Sequence, residues 1–182
     1  MLNVAFYTGI IILLIYILII AWSIAVPSKR IWPPPGKYTW QFFIFWGLFF
    51  VPVFIEIFLI IKDFNTWTIP VEIRICTGIP LMILGGSLTV WGISVLGLES
   101  TSGIDKGLVV KPPYTFTRNP QYTGDIFLIA GLILFANSVY VSVLLSLTIL
   151  TFIMLPLAEE KWLEEKFGDE YLKYKTGTPR FL

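Results

Sequence analysis

The chain has 182 residues, 56% of them hydrophobic and 14% charged, with a net charge of +1 and a mean hydropathy of +0.80. A soluble domain carries about a quarter charged residues; here the charges are gathered between long apolar runs, the pattern a bilayer imposes. The near-neutral balance gives no reason to expect nucleic acid as a partner. The single cysteine, Cys76, allows no intramolecular disulfide, and the absence of any histidine removes His-based metal sites and every Ser-His or Cys-His nucleophile pair. No metal is expected.

A spanning helix needs about 20 mainly apolar residues. The first such run, 4–26, carries no charge and is too long for a signal-peptide core. Pro27 and Ser28-Lys29-Arg30 end it, and a stiff loop through Pro33-Pro34-Pro35-Gly36 follows. The second run, 41–61, contains Pro52 and Glu56; the third, 75–98, contains Pro80 and the small cluster Gly85-Gly86-Ser87. The stretch 99–118 is polar and must lie outside the hydrocarbon or line a cavity. Two shorter apolar runs, 121–136 and 139–157, are joined only by Asn137-Ser138, which makes them an antiparallel hairpin. From Glu159 onward the tail is charge-rich and amphipathic.

The expected fold is therefore all-α: a polytopic membrane helix bundle of about five transmembrane helices plus a C-terminal amphipathic helix, in one domain over residues 1–182. No internal repeat is visible, which argues against a transporter of repeated halves. Eleven of the Lys and Arg residues fall in the first loop, the third loop (Lys106, Lys111, Arg118) and the tail, against two, Lys62 and Arg74, around the second loop. The positive-inside rule then places the N-terminus outside and the 99–118 loop and tail in the cytoplasm.

Two stretches carry chemistry. In Tyr114-Thr115-Phe116-Thr117-Arg118-Asn119-Pro120-Gln121-Tyr122-Thr123-Gly124, Asn119 is a favoured helix N-cap and Pro120 fits the first helical position. The amides of Gln121 and Tyr122, at the positive end of the helix dipole, form a potential anion site. The plainer reading is a capped membrane helix with Arg118 reaching for headgroups. In the tail, helical spacing puts Glu159, Leu163, Phe167 and Tyr171 or Tyr174 in one band. An interfacial helix explains the aromatics. It leaves Glu159 and Glu160 unexplained, since Lys or Arg are favoured where a span leaves the cytoplasmic surface.

Together the two stretches follow a pattern: Tyr-x-x-x-Arg-[His/Asn]-Pro-x-Tyr-x-Gly, an apolar hairpin, then Glu-Glu-x-x-Leu-x-x-x-Phe-Gly-x-x-Tyr-x-x-Tyr. Over residues 107–180 the chain resembles the isoprenylcysteine carboxyl methyltransferase and phospholipid N-methyltransferase group. The resemblance implies transfer of a methyl group from S-adenosylmethionine to a lipid-like acceptor, a lipid amine or a prenylated carboxylate. It places the cofactor at Leu108, Val109, Tyr114, Asn119, Pro120, Gln121, Tyr122 and Glu159, with Arg118 and Glu160 as the expected catalytic residues. No Gly-rich strand-to-helix loop is present, so the cofactor must sit between helices. A carboxylate acceptor needs no general base, whereas an amine must lose a proton that Glu159, Glu160 or Asp125 could relay.

Two positions depart from the group. Asn119 stands where members commonly have His, and Leu155 stands where the carboxyl methyltransferase branch has a substrate-linked Arg. The second departure weakens the case for a prenylated carboxylate. The competing readings are a membrane NADPH-dependent reductase of the sterol-reductase type and a non-enzymatic scaffold. Basic residues suited to a 2′-phosphate are missing near Tyr114, and a scaffold has no use for a helix-start anion site facing acids.

Overall fold

The computed structural model describes residues 1–104 and 107–182; Lys106, one of the charges counted above, lies outside the described residues. Five principal helices follow in chain order: α1 Leu2–Ala25, α2 Trp40–Lys62, α3 Val71–Leu96, α4 Pro120–Ala136 and α5 Val139–Gly177. Among the described residues there is no strand. Four of the helices, α1, α2, α3 and α5, are long and apolar enough to cross a membrane, while α4 has only 17 residues. At about 1.5 Å per residue, α4 falls short of a typical ~30 Å hydrocarbon core. The chain is an integral membrane helix bundle, and its weakest candidate span is the helix that opens the hairpin.

Local chemistry explains most boundaries. Thr39 caps α2, its hydroxyl accepting from the Phe42 amide at 3.4 Å, and Ser138 caps α5 by accepting from Val141 at 3.2 Å. Helix α3 starts earlier than the apolar run suggests, and its turn Arg74–Gly78 is a wider π-helical one. Pro80 has no N–H to offer the residue-76 carbonyl and its ring crowds that carbonyl, so the helix widens ahead of it. At the same end of the bundle Asn137 takes a left-handed conformation, φ 49°, between α4 and α5.

Helices α3 and α4 pack with backbones almost touching. A Cβ on Gly85 would lie 2.3 Å from the Leu128 nitrogen, and one on Gly124 would lie 2.6 Å from the Gly85 carbonyl. Such close approach is how helices gain dispersion contact where lipid supplies no hydrophobic drive. It is also how the short α4 is held. The rest of the core joins α1, α2 and α5 through Leu13, Tyr16, Phe45, Leu144 and Phe152. The opposite faces expose large apolar side chains such as Val4, Leu18, Phe54, Ile61 and Leu84, as a lipid-facing surface requires.

The tail differs from the expected separate amphipathic helix. Helix α5 runs unbroken through Pro156 and past Glu159, and the chain breaks only at Gly168, with φ 52° and ψ −128°. That backbone conformation is open to glycine and strained for other residues. The single band expected from Glu159 to Tyr171 is therefore cut at Gly168. The last turns fold back, and Tyr171 is buried at 2% exposure instead of lying at the surface.

Candidate functional site

One cleft opens where the first loop, the chain between α3 and α4, and the folded-back tail meet; it encloses about 860 Å³, its open mouth included. Leu108, Val109 and Tyr114 line it from the loop, Asn119, Gln121 and Tyr122 from the start of α4, and Glu159 from α5. Arg118 and Glu160 line it as well. Pro120 does not; it is buried at the head of α4, facing Gly92 of α3.

Two walls are built by hydrogen bonds that span long stretches of chain. Tyr114 is held by Tyr174, whose hydroxyl donates to the Tyr114 carbonyl at 2.6 Å, and by Gln121, whose amide donates to the Tyr114 hydroxyl at 3.1 Å. Burial, reinforced by the Glu159 charge, pushes the Tyr114 hydroxyl well above its ordinary value, so it stays protonated as a neutral contact. The Gln121 amide also reaches the Thr101 hydroxyl at 3.0 Å, tying α4 to the loop after α3. The first loop is drawn over the cleft by Ser23, whose hydroxyl accepts from the amides of Ile31 and Trp32 at 3.0 and 3.2 Å. Trp32 then donates its indole N–H to Glu159 Oε1 at 2.7 Å.

The second wall is a clamp on the C-terminus. Arg118 Nη1 donates to the carbonyls of Lys175 and Thr178 at 2.7 and 2.6 Å, and its Nη2 pairs with Glu160 Oε1 at 2.8 Å. Arg180 forks onto both oxygens of Glu160 at 2.6 and 2.9 Å, and Lys175 adds a contact at 3.3 Å. The hydrogen bonds to Glu160 hold the Arg180 guanidinium above its already high ordinary value, so Arg180 stays charged. Thr117 and Asn119 both donate to the Arg180 carbonyl, at 2.9 and 3.1 Å.

That last contact corrects one expectation. Asn119 occupies the N-cap position of α4, but its side chain makes no capping bond; its Nδ2 donates to the tail instead. The Thr123 hydroxyl and amide instead bond the Asn119 carbonyl, at 2.8 and 3.0 Å.

The adjacent acids are thus in opposite surroundings. Glu160 is surrounded by three cations. Glu159 receives only neutral donors, Trp32 and Tyr122, both on Oε1, and among the described residues Oε2 takes none. Two polar atoms on residues of the cleft wall are buried without a hydrogen bond: Arg118 Nε and the Ser100 hydroxyl. An acceptor, a charged donor and a hydroxyl left over in one recess is a ligand-shaped remainder, since buried polar groups are otherwise almost always paired.

Trp32, Ser100 and Arg180 escaped sequence reasoning. Trp32 lies about 127 positions before the acid it contacts, Ser100 has no distinctive neighbours, and Arg180 looks like an ordinary terminal charge. Only the shared Glu-Glu pair marks where they converge. Asp125, the other candidate relay, bonds Thr89 of α3 at 2.9 Å and does not line the cleft. Glu56 is buried in α2 and accepts from the Thr148 hydroxyl at 2.5 Å.

No curated protein and no solved structure matches the chain. The profile of the phospholipid methyltransferases matches residues 73–170, a span that begins within α3, takes in the loop and α4, and ends in α5 just after the break at Gly168. That is more than half of the chain and includes most of the cleft wall. It also stands against the reductase and scaffold readings. The chain belongs to the phospholipid methyltransferase family and is a membrane methyltransferase.

Proposed function

We propose that the protein transfers a methyl group from S-adenosylmethionine to the amine headgroup of a lipid, with the cleft facing the cytoplasm. The observation that carries this is the separation of the two acids: Glu160 is neutralised inside the wall, while Glu159 faces the cleft with no cation touching it among the described residues. A donor that is itself cationic and a second ligand that is an amine both suit that carboxylate. A carboxylate acceptor would be repelled by it.

The cleft residues fit the donor. Arg118 Nε, with the amides at the start of α4, would take its carboxylate. Glu159 and Ser100 would accept from its ammonium and hydroxyl groups, and Tyr114, Tyr122, Leu108 and Val109 would pack its aromatic base. When bound, S-adenosylmethionine supplies an activated methyl group on a positively charged sulfur. The chain's part is then to align two ligands and exclude water. Arg118 and Glu160 act in this reading by fixing the tail as one side of the cleft, and Glu159 is placed to receive the proton an amine sheds. Leu155, buried at 3% exposure, carries no charge to pair with a prenylated carboxylate.

One experiment tests donor, acceptor and orientation together. Sealed vesicles of known sidedness are given methyl-labelled S-adenosylmethionine and extracted into organic solvent. The expected result is label in base-stable lipid, formed only when the cytoplasmic face is outermost. Label confined to base-labile esters would refute the amine acceptor, and label that stays in water would refute a lipid acceptor. Labelling from the opposite face alone would invert the topology.

A further inference from the structure

The rim of the cleft carries a positive charge with no acid against it. Trp162 lines the cleft one helical turn after Glu159, and the Arg30 guanidinium lies over its ring, with Cζ 5.9 Å from the centroid. Arg30 is half-buried and is fixed from within the first loop. Its Nε donates to the Pro33 carbonyl at 3.1 Å and its Nη1 to the Pro27 carbonyl at 3.4 Å. Pro33 is itself part of the cleft wall. Among the described residues no acid pairs with Arg30, and its Nη2 donates to none of them. The other arginines are engaged elsewhere: Arg118 and Arg180 on Glu160, and Arg74 on the Phe135 carbonyl at the hairpin end. A side chain that only reached for headgroups would not be held by two carbonyls and a ring.

From this arrangement we propose that Arg30, held on Trp162, is a specificity-determining residue that binds the phosphodiester of the acceptor lipid while the amine meets Glu159. The inference rests on the amine-methyltransferase reading. A guanidinium tied back through Nε and Nη1 keeps Nη2 for a phosphate oxygen and has less side-chain freedom to lose on binding. Lys166, over the same Trp162 ring at 5.2 Å, adds to the positive rim. Glu159 and Trp162 are neighbours on one face of α5, so the carboxylate and the guanidinium bracket a short stretch of cleft. The acid suits an ammonium and the guanidinium suits a phosphate, so together they fit a head carrying both charges in one orientation only. The first loop precedes residues 73–170, the span of the family match. The discriminating charge therefore comes from a part of the chain that the family pattern does not describe.

In neutral detergent micelles, the full chain and its Arg30→Gln variant are given two acceptors, a phospholipid amine and a long-chain alkylamine without phosphate. Affinity is read as KM, or as inhibition of phospholipid methylation where the alkylamine is not turned over. For Arg30→Gln the phospholipid KM should rise about three- to tenfold, with kcat, alkylamine affinity and S-adenosylmethionine binding all within about twofold. Phosphatidylglycerol, which has the phosphate but no amine, should compete with the phospholipid amine in the native protein and lose that potency in the variant. An equal loss on both acceptors, or a loss of donor binding, would make Arg30 a brace for the first loop and overturn the proposal. No loss on either acceptor would overturn it too. Stimulation of both acceptors by phosphatidylglycerol would assign Arg30 to the surrounding anionic lipid instead, with the same consequence. In all three cases amine methylation by the native protein still stands. A native protein that methylates neither amine would remove the underlying reading, and the proposal with it.

Discussion

The two ends of the bundle solve the same problem in opposite ways. At the hairpin end, the loop between α2 and α3 is tied to the turn between α4 and α5. Asn137 spends its whole side chain there: its Oδ1 accepts from the Ile69 amide at 2.9 Å, and its Nδ2 donates to Asn65 Oδ1 and the Trp67 carbonyl at 2.8 and 3.0 Å. Arg74 closes the end of α4 by donating to the Phe135 carbonyl at 3.0 Å, and Ser138 donates to Asp63 at 2.5 Å. At the cleft end the networks are as extensive but incomplete, with Arg118 Nε, Ser100 Oγ and Glu159 Oε2 left over. The difference teaches how to read polar clusters in a membrane protein. A closed network is structural, and one with buried remainders is built around something that arrives later.

The comparison can be broken by substitution, and the largest effect belongs to the clamp. Glu160→Ala leaves Arg118, with a side chain 8% exposed, as an uncompensated buried charge; unfolding in detergent should show a loss of about 3–5 kcal/mol. A loss below about 1 kcal/mol would mean that the tail is not held as described. At the other end, Asn137→Ala removes three side-chain hydrogen bonds and should cost about 2–3 kcal/mol. Its S-adenosylmethionine affinity should be unchanged in titration, since that end is closed. A weakened cofactor would show that the two ends are coupled. The smallest stability effect, and the sharpest functional one, is expected from Glu159→Gln. The amide keeps the shape but not the charge, so the melting temperature should hold while the dissociation constant for S-adenosylmethionine rises about tenfold, about 1.4 kcal/mol. Destabilisation comparable with Glu160→Ala would erase the distinction between the two acids.

Much of the bundle was legible in the residues. Apolar runs of spanning length, the turn at Asn137-Ser138 and the helix start at Pro120 are local consequences of hydropathy, capping and the missing proline N–H, and each is present in the fold. The Arg-Asn-Pro and Glu-Glu segments also marked the residues that the cleft brings together, Pro120 excepted. What was not legible depended on contacts between distant segments. The tail's reversal at Gly168 was hidden because a glycine within a helical pattern reads equally as a weak helix position or as a break. Asn119 reads as a cap because the partner its side chain uses instead, the Arg180 carbonyl, is 61 positions away.

The sequence by itself determined that this protein lives in a bilayer, where its apolar helices run and where its polar chemistry is gathered, because hydropathy and backbone preferences act over a few residues at a time. Only the tertiary structure decided what surrounds each of the two adjacent acids. Glu159 and Glu160 are adjacent acids of the same type; what separates their surroundings is that one side chain meets Trp32 and Tyr122 and the other meets Arg118 and Arg180. An ionisable group's character is set by the charges and donors around it, and those come from wherever the fold brings them.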